Sequence, residues 1–447
     1  MADPEVDEQV VSQSATTKAS DTHADRPCDL PPPNQGPEKD HFSAQNPKEP
    51  GLLPGDPVQA AELRPDAAQE QPKAESANRA GTTNAPEFPP ILAPINILDE
   101  DWHAIEERAL KPEQLRRIPE IVQHLESLLD EPKGLELLFD GNRNDPADKA
   151  IEISAEQPLW FIGDLHGDLL ALEAALALIE RETEPSGDKA GIVFLGDLFD
   201  DGGPALALLL RVFQLILIDP HRVCLVAGNH DEALRFEDGR FTSSVHPSDF
   251  ADYLNEHLSD EWITRAGRLA IRLAERAPRA LFFPDGLLAA HGGFPLVDLH
   301  EELRKTGDWN DPQVLEDFVW TRAHPRARKK LPNRYSRGSQ FGYEDFAAFC
   351  AFSTELGRPV SHMIRGHDHV DDRYAIYGSN RPNPILTTVA LSRRLPREGT
   401  GSYPRVPTVA RFVSGALPQV YRLHIPPDAI EGLYPEYQLD QMEDQGL

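Results

Sequence analysis

The chain has 447 residues, of which 74 are acidic and 44 are basic, so its formal net charge at pH 7 is -30. That charge argues against a nucleic-acid groove or an anionic membrane surface as the main partner. Three widely separated cysteines fit neither a disulfide framework nor a zinc motif, and the first residues lack the basic and apolar regions of a signal peptide. We therefore expect a cytoplasmic protein.

Residues 1–95 are rich in Pro, Ala, Gln, Asp and Glu and show no apolar periodicity, which predicts a disordered N-terminal tail. Whether this tail binds a partner stays open. Residues 96–150 are predicted to form a helical preface, because apolar residues recur along one helix face in "PEQLRRIPEIVQHLESLLDEP". Residues 428–447 are predicted to form an acidic C-terminal tail.

The region between these segments, residues 151–427, repeats a pattern of apolar strand, glycine-rich turn and helix. The strands "LWFIGD", "GIVFLGD" and "RVCLVAGNHD" alternate with the helices "LLALEAALALIERE" and "PALALLLRVFQLIL". Such alternation predicts an α/β domain with at least partly parallel strands. The second half adds further predicted strands, such as "SHMIRGHDH" and "TVARFV". An insertion at 298–360 carries most of the basic character, in "RAHPRARKKLPNRYSRG".

Polar fragments follow five of the apolar strands. They are "GDLHGD", "GDLFDD", "GNHD", "HGG" and "RGHDH". Because the carboxyl ends of such strands meet at one rim, the five fragments can converge. Asp, Asn and His offer oxygen and neutral imidazole ligands, which suit Mn²⁺, Fe or Zn²⁺. Two such ions close together can clamp a phosphoryl oxygen and activate a shared water, and glycines let the backbone approach them closely.

The ordered set GDLHG, GDLFDDG, GNHD, HGG and RGH resembles the motifs of the calcineurin-like metallophosphoesterases. It is most similar to the phosphoprotein phosphatase branch, the Ser/Thr protein phosphatases, in a bacterial-type variant. The resemblance covers about residues 155–425. It implies an α/β fold in which two mixed β-sheets form a sandwich flanked by helices, with the helical preface and the disordered tail outside it. Residues 151–427 would then be the catalytic domain.

The resemblance also implies two divalent metal ions, for which manganese is the first choice and iron or zinc the alternatives. In this family pattern one ion has two ligands of its own, a carboxylate bridges both ions, and three further ligands complete the second ion. The six matching residues, in that order, are Asp164, His166, Asp197, Asn229, His291 and His367.

Four further residues match the catalytic pattern of the family. His230, held by Asp200, would be the general acid that protonates the leaving alkoxide. Arg337 matches a phosphate-binding arginine, whose planar fork suits a phosphoryl group. Arg365 either orients its turn or contacts the phosphate.

Three polar residues near the motifs have simpler interpretations. Asp168 is interpreted as the N-cap of the helix that follows it. Asp231 is interpreted as a cap or as a support for the ligands. His369 is extra to the motif and is interpreted as a surface histidine or a supporting one.

The sequence departs from the protein phosphatase pattern in two places. Asp201 stands where that branch has an arginine that grips the phosphate, so the charge there is reversed. Arg235, Arg322 or Arg365 could compensate. The Asn-Tyr pair that follows the last motif in that branch is absent from "TVALSRRLPREGTGSYPR".

The expected function is metal-dependent hydrolysis of phosphate monoesters, most specifically as a Ser/Thr phosphoprotein phosphatase. Its substrate would be a phosphorylated protein or a small phosphoester, with no nucleic-acid or membrane partner. One alternative is a dinucleoside-polyphosphate hydrolase that acts on diadenosine tetraphosphate, for which GNHD in place of GNHE is a hint. Another is a catalytically weak scaffold, suggested by Asp201, the missing tyrosine and the long tail.

Overall fold

The computed structural model describes residues 93–131, 134–153, 157–183, 190–334, 337–378, 381–395, 398 and 405–434. The predicted disordered tail, 1–95, therefore lies outside the described residues except for its last three. Within the described residues, no helix is both long enough and apolar enough to cross a membrane.

Strands β1 to β17 are short, and most of them are buried. In chain order they are β1 (Ile95–Ile97), β2 (Ala150–Glu152), β3 (Leu159–Ile162), β4 (Gly191–Phe194), β5 (Val223–Leu225), β6 (Leu234–Glu237), β7 (Arg240–Ser243), β8 (Ala280–Phe282), β9 (Leu287–Ala290), β10 (Arg322–Ala323), β11 (Leu331–Pro332), β12 (Ser339–Phe341), β13 (His362–Arg365), β14 (Tyr374–Tyr377), β15 (Ile385–Thr388), β16 (Thr408–Phe412) and β17 (Gln419–Leu423).

Helices α1 to α11 connect and cover these strands. In chain order they are α1 (Trp102–Leu110), α2 (Ile118–Asp130), α3 (Leu169–Thr183), α4 (Ala205–Ile218), α5 (Asn229–Ala233), α6 (Asp249–Glu256), α7 (Glu261–Arg276), α8 (His300–Thr306), α9 (Pro312–Trp320), α10 (Tyr343–Glu355) and α11 (Pro427–Leu433).

Two six-stranded mixed sheets form the centre of the fold, which confirms the predicted architecture. The first has the order β1-β17-β16-β3-β4-β5, with β3, β4 and β5 parallel and β16 antiparallel to β3. The second has the order β14-β15-β13-β9-β8-β2, with β9, β13 and β15 parallel. Smaller sheets are the β6–β7 hairpin and the three strands β10-β12-β11.

The side chains of the strands alternate between the interior of the sandwich and its outer faces. Phe161 and Val193 of the first sheet pack against Ala289 and Ile364 of the second in the shared interior. On the other face of the first sheet, side chains such as Trp160 pack with α2, α3, α4 and α7. Helices α9 and α10 cover the outer face of the second sheet. Both sheets are therefore buried on two sides, as their continuous apolar strands predict.

The ends of the folded region differ from the predicted boundaries. Strand β1 pairs with β17 and β2 pairs with β8, so the segment before β3 contributes an edge strand to each sheet as well as helices. At the other end, helix α11 extends beyond 427, and Tyr434 is buried with its hydroxyl donating to Asp168 at 3.1 Å. Because the sequence of 428–447 is acidic as a whole, its first apolar residues were not assigned to a helix in the sequence analysis.

Candidate metal centre

The polar side chains that follow four strands meet at one edge of the sandwich. Asp164 follows β3, Asp197 follows β4, His291 follows β9 and His367 follows β13. The backbone N–H of His367 donates to Asp164 Oδ1 at 2.9 Å, which ties the end of the second sheet to the first. The structure thus brings together all six predicted ligands, every one of them buried.

Asp197 lies between two groups of ligand atoms. Its Oδ2 atom is 3.3 Å from Nε2 of His291 and 3.7 Å from Nε2 of His166. Its Oδ1 atom accepts the backbone N–H of His230 at 2.9 Å, which fixes the carboxylate plane. One carboxylate oxygen facing both groups is the geometry that a bridging ligand requires.

The first group contains a histidine that the sequence analysis set aside. His369 Nε2 lies 3.2 Å from Asp164 Oδ2 and 3.1 Å from His166 Nε2. His166 donates its Nδ1 proton to the carbonyl oxygen of Phe199 at 2.9 Å, which leaves the lone pair of Nε2 for the group. Asp164, His166 and His369 can therefore hold one ion, and the interpretation of His369 as a surface histidine is corrected. The His-Asp-His spacing of 367–369 was the available signal.

In the second group, nitrogen and oxygen atoms lie within hydrogen-bond distance of one another, but there are too few protons for each of these contacts to be a hydrogen bond. His291 Nε2 lies 3.1 Å from Asn229 Oδ1 and 3.0 Å from His367 Nδ1. His367 Nε2 is buried and has no hydrogen-bond partner among the described residues. A cation would satisfy these converging lone pairs, so the residues fit a second divalent ion.

The backbone around these groups is strained and closely approached. Among the described residues, eight that are not glycine have positive φ. Five of those eight belong to this site: His166, Asp197, Asp200, Asp201 and His367. A Cβ on Gly228 would lie 2.2 Å from Asp197 Oδ1, and one on Gly366 would lie 2.2 Å from Asp164 Oδ1. Strain of this kind is retained where function requires it, and glycine leaves room for the carboxylates.

Protonation at the site matches what metal ligands need except at His291, where burial lowers the pKa but Asp197 and Asp164 outweigh it and raise the pKa, so an ion would have to displace a proton from this ring. Burial holds the pKa of His166 and of His367 well below the usual value, so both imidazoles are neutral. Burial opposes ionisation of Asp197, but the neighbouring His291 and His230 outweigh it and hold the pKa of Asp197 well below its usual value. Ionised carboxylates and neutral imidazoles are the forms that bind a divalent ion.

His230 and Asp200 form a buried pair beside the ligands. His230 Nδ1 lies 2.7 Å from Asp200 Oδ2, and the rings of His230 and His166 meet edge to face with centroids 5.0 Å apart. Burial favours the neutral imidazole, but Asp197 and Asp200 raise the pKa of His230 to about 9. His230 can therefore hold a proton at Nε2 at neutral pH.

Two carboxylates support the ligand loops from behind. Asp231 accepts the backbone N–H groups of Asp197, Leu198 and Gly228, at 2.8, 3.2 and 2.9 Å, so it fixes the turn that carries the bridging residue. This contact set agrees with its interpretation as a support.

Asp168 caps α3 as predicted, through the backbone N–H of Ala171 at 2.9 Å. It also accepts the backbone N–H groups of Ser392 and Arg393, at 2.7 and 3.0 Å, and Arg393 in turn donates to the carbonyl oxygen of His166 at 2.6 Å. Ser392 and Arg393 carried no motif in the sequence.

The two arginines expected at the phosphate have other partners. Arg365 is fully buried and donates to the carbonyl oxygens of Gly292 and Thr321, so its alternative role, orienting the turn, is the one that the structure supports. Arg337 makes a bidentate pair with Glu316, both contacts at 2.7 Å, and lies over the ring of Trp320. A phosphate would have to compete with the Glu316 carboxylate for the guanidinium group of Arg337.

Asp201 faces the centre with its negative charge. Its Oδ2 atom is 3.6 Å from His166 Nδ1, and together with His230 the two residues form a third close group. Of the cations proposed to compensate, Arg365 is buried and Arg235 lies on the β6–β7 hairpin. Arg322 donates to the carbonyl oxygen of His367 at 2.7 Å and keeps about a third of its side chain open, at 31% exposure.

A two-sheet sandwich with carboxylates and imidazoles at neighbouring strand ends is the arrangement that the sequence analysis expected for a metallophosphoesterase. The calcineurin-like phosphoesterase family model matches residues 157–371, in agreement with the resemblance stated in the sequence analysis.

Relatives from two functional groups are similar to this chain. The PP2A-like serine/threonine-protein phosphatase PPG1 of Candida albicans is 22% identical over 231 residues, covering 50% of this chain and 50% of the relative. The asymmetrical bis(5′-nucleosyl)-tetraphosphatase PrpE of Oceanobacillus iheyensis is 30% identical over 153 residues, 32% of this chain and 60% of the relative. The chain thus spans between half and two thirds of the length of these relatives.

A solved Saccharomyces cerevisiae protein serine/threonine phosphatase with similarity to human PP5 is 16% identical, with a TM-score of 0.45. The match covers 69% of this chain and 89% of that one.

Proposed function

We propose that this protein is a metal-dependent phosphomonoesterase that removes phosphate from phosphoserine and phosphothreonine. The observation that carries the proposal is the position of Asp197 Oδ2 between His291 and His166, with one group of ligands on each side. Two ions held there would supply Lewis acidity that activates a water and offsets the charge of a phosphoryl group.

Seven side chains would hold the two ions. Asp164, His166 and His369 would bind one of them and Asn229, His291 and His367 the other, while Asp197 bridges. We expect manganese, with iron and zinc as alternatives, because oxygen and imidazole ligands dominate and no thiolate is among them.

The remaining residues would manage the proton and the orientation. Asp200 accepts the Nδ1 proton of His230, so Nε2 is the atom that passes a proton to the leaving oxygen. Asp231 keeps the turn of Asp197 rigid through three backbone contacts. Arg322 is the best-placed of the three arginines proposed to compensate for Asp201 for orienting a phosphate, since it lies against His367 and is partly exposed, and a phosphate would compete with Asp368 for it.

A second candidate function is hydrolysis of dinucleoside polyphosphates. Asp231 in the GNHD motif and the similarity to a tetraphosphatase support it. A catalytically weak scaffold is the third candidate, because Asp201 places a negative charge beside the centre.

The deciding experiment offers purified protein with Mn²⁺ a phosphoserine peptide and diadenosine tetraphosphate side by side. Phosphate release and nucleotide products are both followed. Faster turnover of the peptide is the expected result. Turnover of diadenosine tetraphosphate alone would favour the second candidate, the dinucleoside-polyphosphate hydrolase. No turnover of either substrate by the metal-loaded protein would favour the scaffold.

A further inference from the structure

One stretch of the chain has a charge opposite to that of the protein. Residues 322–337, here called the basic segment, contain seven lysines and arginines and no acidic residue, in a chain with formal charge -30. Strands β10 and β11 within the segment are only two residues long, so strand formation does not account for this concentration of lysines and arginines.

Both ends of the basic segment are attached to the metal centre. At its start, Arg322 donates to the carbonyl oxygen of His367, and the N–H of Ala323 donates to Asp368 Oδ2 at 2.8 Å. At its end, Arg337 lies 4.7 Å from the ring centre of Trp320, and Trp320 Nε1 donates to Glu232 at 3.1 Å. The segment therefore begins against the ligand residue His367, and its other end is connected through Trp320 to α5, the helix that begins with Asn229.

Several of its cations have no ion-pair partner within the part of the chain that the structure describes, although Lys329 acts on the carboxyl of Asp345 through the electrostatic field. Arg326, Arg328, Lys329 and Arg334 are exposed, and none of them forms an ion pair with another described residue. These four like charges fall within nine residues of sequence, and an anionic partner would relieve the repulsion between them. An uncompensated positive surface beside a candidate phosphate site points to a ligand that carries acid groups beyond the phosphate.

The surroundings favour a peptide over a long polyanion. Leu331, 39% exposed, and Pro332 lie among the cations, so the surface offers apolar contact as well as charge. The net charge of the whole protein would repel a nucleic acid that extends past the segment, whereas a short peptide meets mainly the charges within a Debye length of about 8 Å.

We propose that the basic segment binds acidic residues that flank the phosphoserine or phosphothreonine of a protein substrate, and so selects phosphosites in acidic sequence. This inference rests on the proposed phosphatase function. It assigns Arg326, Arg328 and Lys329 to substrate selection and leaves the chemistry to the metal centre.

The test compares two phosphoserine peptides that differ only in having Asp and Glu, or Ser and Ala, on both sides of the phosphoserine. The variant is Arg326→Ala/Arg328→Ala/Lys329→Ala. The control, Lys111→Ala/Arg240→Ala/Lys305→Ala, removes three exposed cations elsewhere, where surface charges contribute little. Melting temperature and metal content are compared first, because both variants should match the wild type.

We expect the wild type to prefer the acidic peptide in kcat/KM and to lose that preference in high salt. The variant should lose about tenfold in kcat/KM on the acidic peptide alone, while the control and the turnover of para-nitrophenyl phosphate stay unchanged. An unchanged preference, or an equal loss on both peptides, would overturn the inference while leaving the proposed function standing.

Two other outcomes identify different failures. Hydrolysis of para-nitrophenyl phosphate with no release from either peptide would refute the proposed function and this inference with it. Binding of a single-stranded oligonucleotide that is lost only in the variant, with peptide turnover unaffected, would assign the basic segment to nucleic acid instead.

Discussion

Asp200 links His230 to helix α6: its Oδ2 lies 2.7 Å from His230 Nδ1, and its Oδ1 accepts the backbone N–H of Phe250 at 3.0 Å. The imidazole is thus oriented by a carboxylate that is itself anchored to α6. Because neither residue belongs to the two ligand groups, loss of His230 should affect proton transfer and leave metal binding intact.

We predict that His230→Gln lowers kcat about 100-fold or more, in the range of general acid catalysis, with metal content unchanged. Turnover and metal analysis of the same preparation check this. His257→Gln is the control, since the His257 side chain contacts Tyr253 of α6 through its carbonyl oxygen and its ring, and this variant should keep full activity. Loss of metal from His230→Gln would instead make His230 a ligand.

Asp197→Asn should remove at least one metal ion and nearly all turnover. An amide has one oxygen and no charge, so it cannot bridge two cations as a carboxylate does. Metal content after gel filtration, measured together with phosphate release, checks the prediction. Two ions per chain at the wild-type rate would show that Asp197 has been assigned the wrong role.

His369→Ala should weaken the binding of one ion about tenfold or more, because it removes one of three side chains in the first group. Metal titration of the apoprotein measures this without relying on turnover. The control is His103→Ala, which removes an exposed histidine from α1. Equal affinity for the metal ion in the two variants would mean that His369 supports the ligands and does not bind the ion itself.

Asp201→Asn should tighten inhibition by inorganic phosphate about tenfold. The change removes a negative charge near the candidate phosphate position and keeps the side-chain volume, which an arginine in this buried place would not. Asp252→Asn, at an exposed position of α6, controls for the loss of charge in general. A phosphate inhibition constant that is the same as in the wild type would show that Asp201 does not act on the bound anion.

Asp317→Asn should raise the free energy of unfolding by about 4 kcal/mol at pH 8 and not at pH 4. Burial raises the pKa of Asp317 to about 7, although the N–H of Leu296 partly stabilises the charge. Since the pKa in the folded state lies above the unfolded value, the ionised carboxyl destabilises the fold, and the effect grows from about pH 4 to pH 7.

The measurement for Asp317 is the difference in unfolding free energy between variant and wild type across that pH range, with Asp372→Asn as an exposed control. An asparagine can still accept from Leu296, so the fold is expected to be kept. A difference that does not change with pH would mean that Asp317 ionises normally.

Much of the centre could be predicted because its ligands follow apolar strands directly. The Gly-Asp pairs at 163–164 and 196–197 mark strand ends, and parallel strands must bring such ends together. Arg365 could not be predicted in the same way. Its charge suggested a phosphate, but the fold pairs it with the carboxylate of Asp368 and with backbone carbonyl oxygens that only the tertiary structure brings there.

The boundaries of the folded region could not be predicted from the sequence for a related reason. Helix α11 is short and lies in an acidic stretch, so its composition resembles that of a tail, yet Ile430 and Tyr434 are buried against the core. Similarly, Ser392 and Arg393 reach the first ligand loop only because β15 lies next to β13 in the second sheet and the chain then crosses to Asp168.

The pairing of β1 with β17, and of β3 with β16, has a consequence for synthesis. Strand β3 leads into the first ligand, but it lacks a neighbour on one side until almost the whole folded region has left the ribosome. Tyr434 must also emerge before it can bond Asp168. A chain that stopped between His369 and Tyr434 would therefore carry all seven candidate ligands and lack one or more of these supports, so we expect it to bind metal ions more weakly.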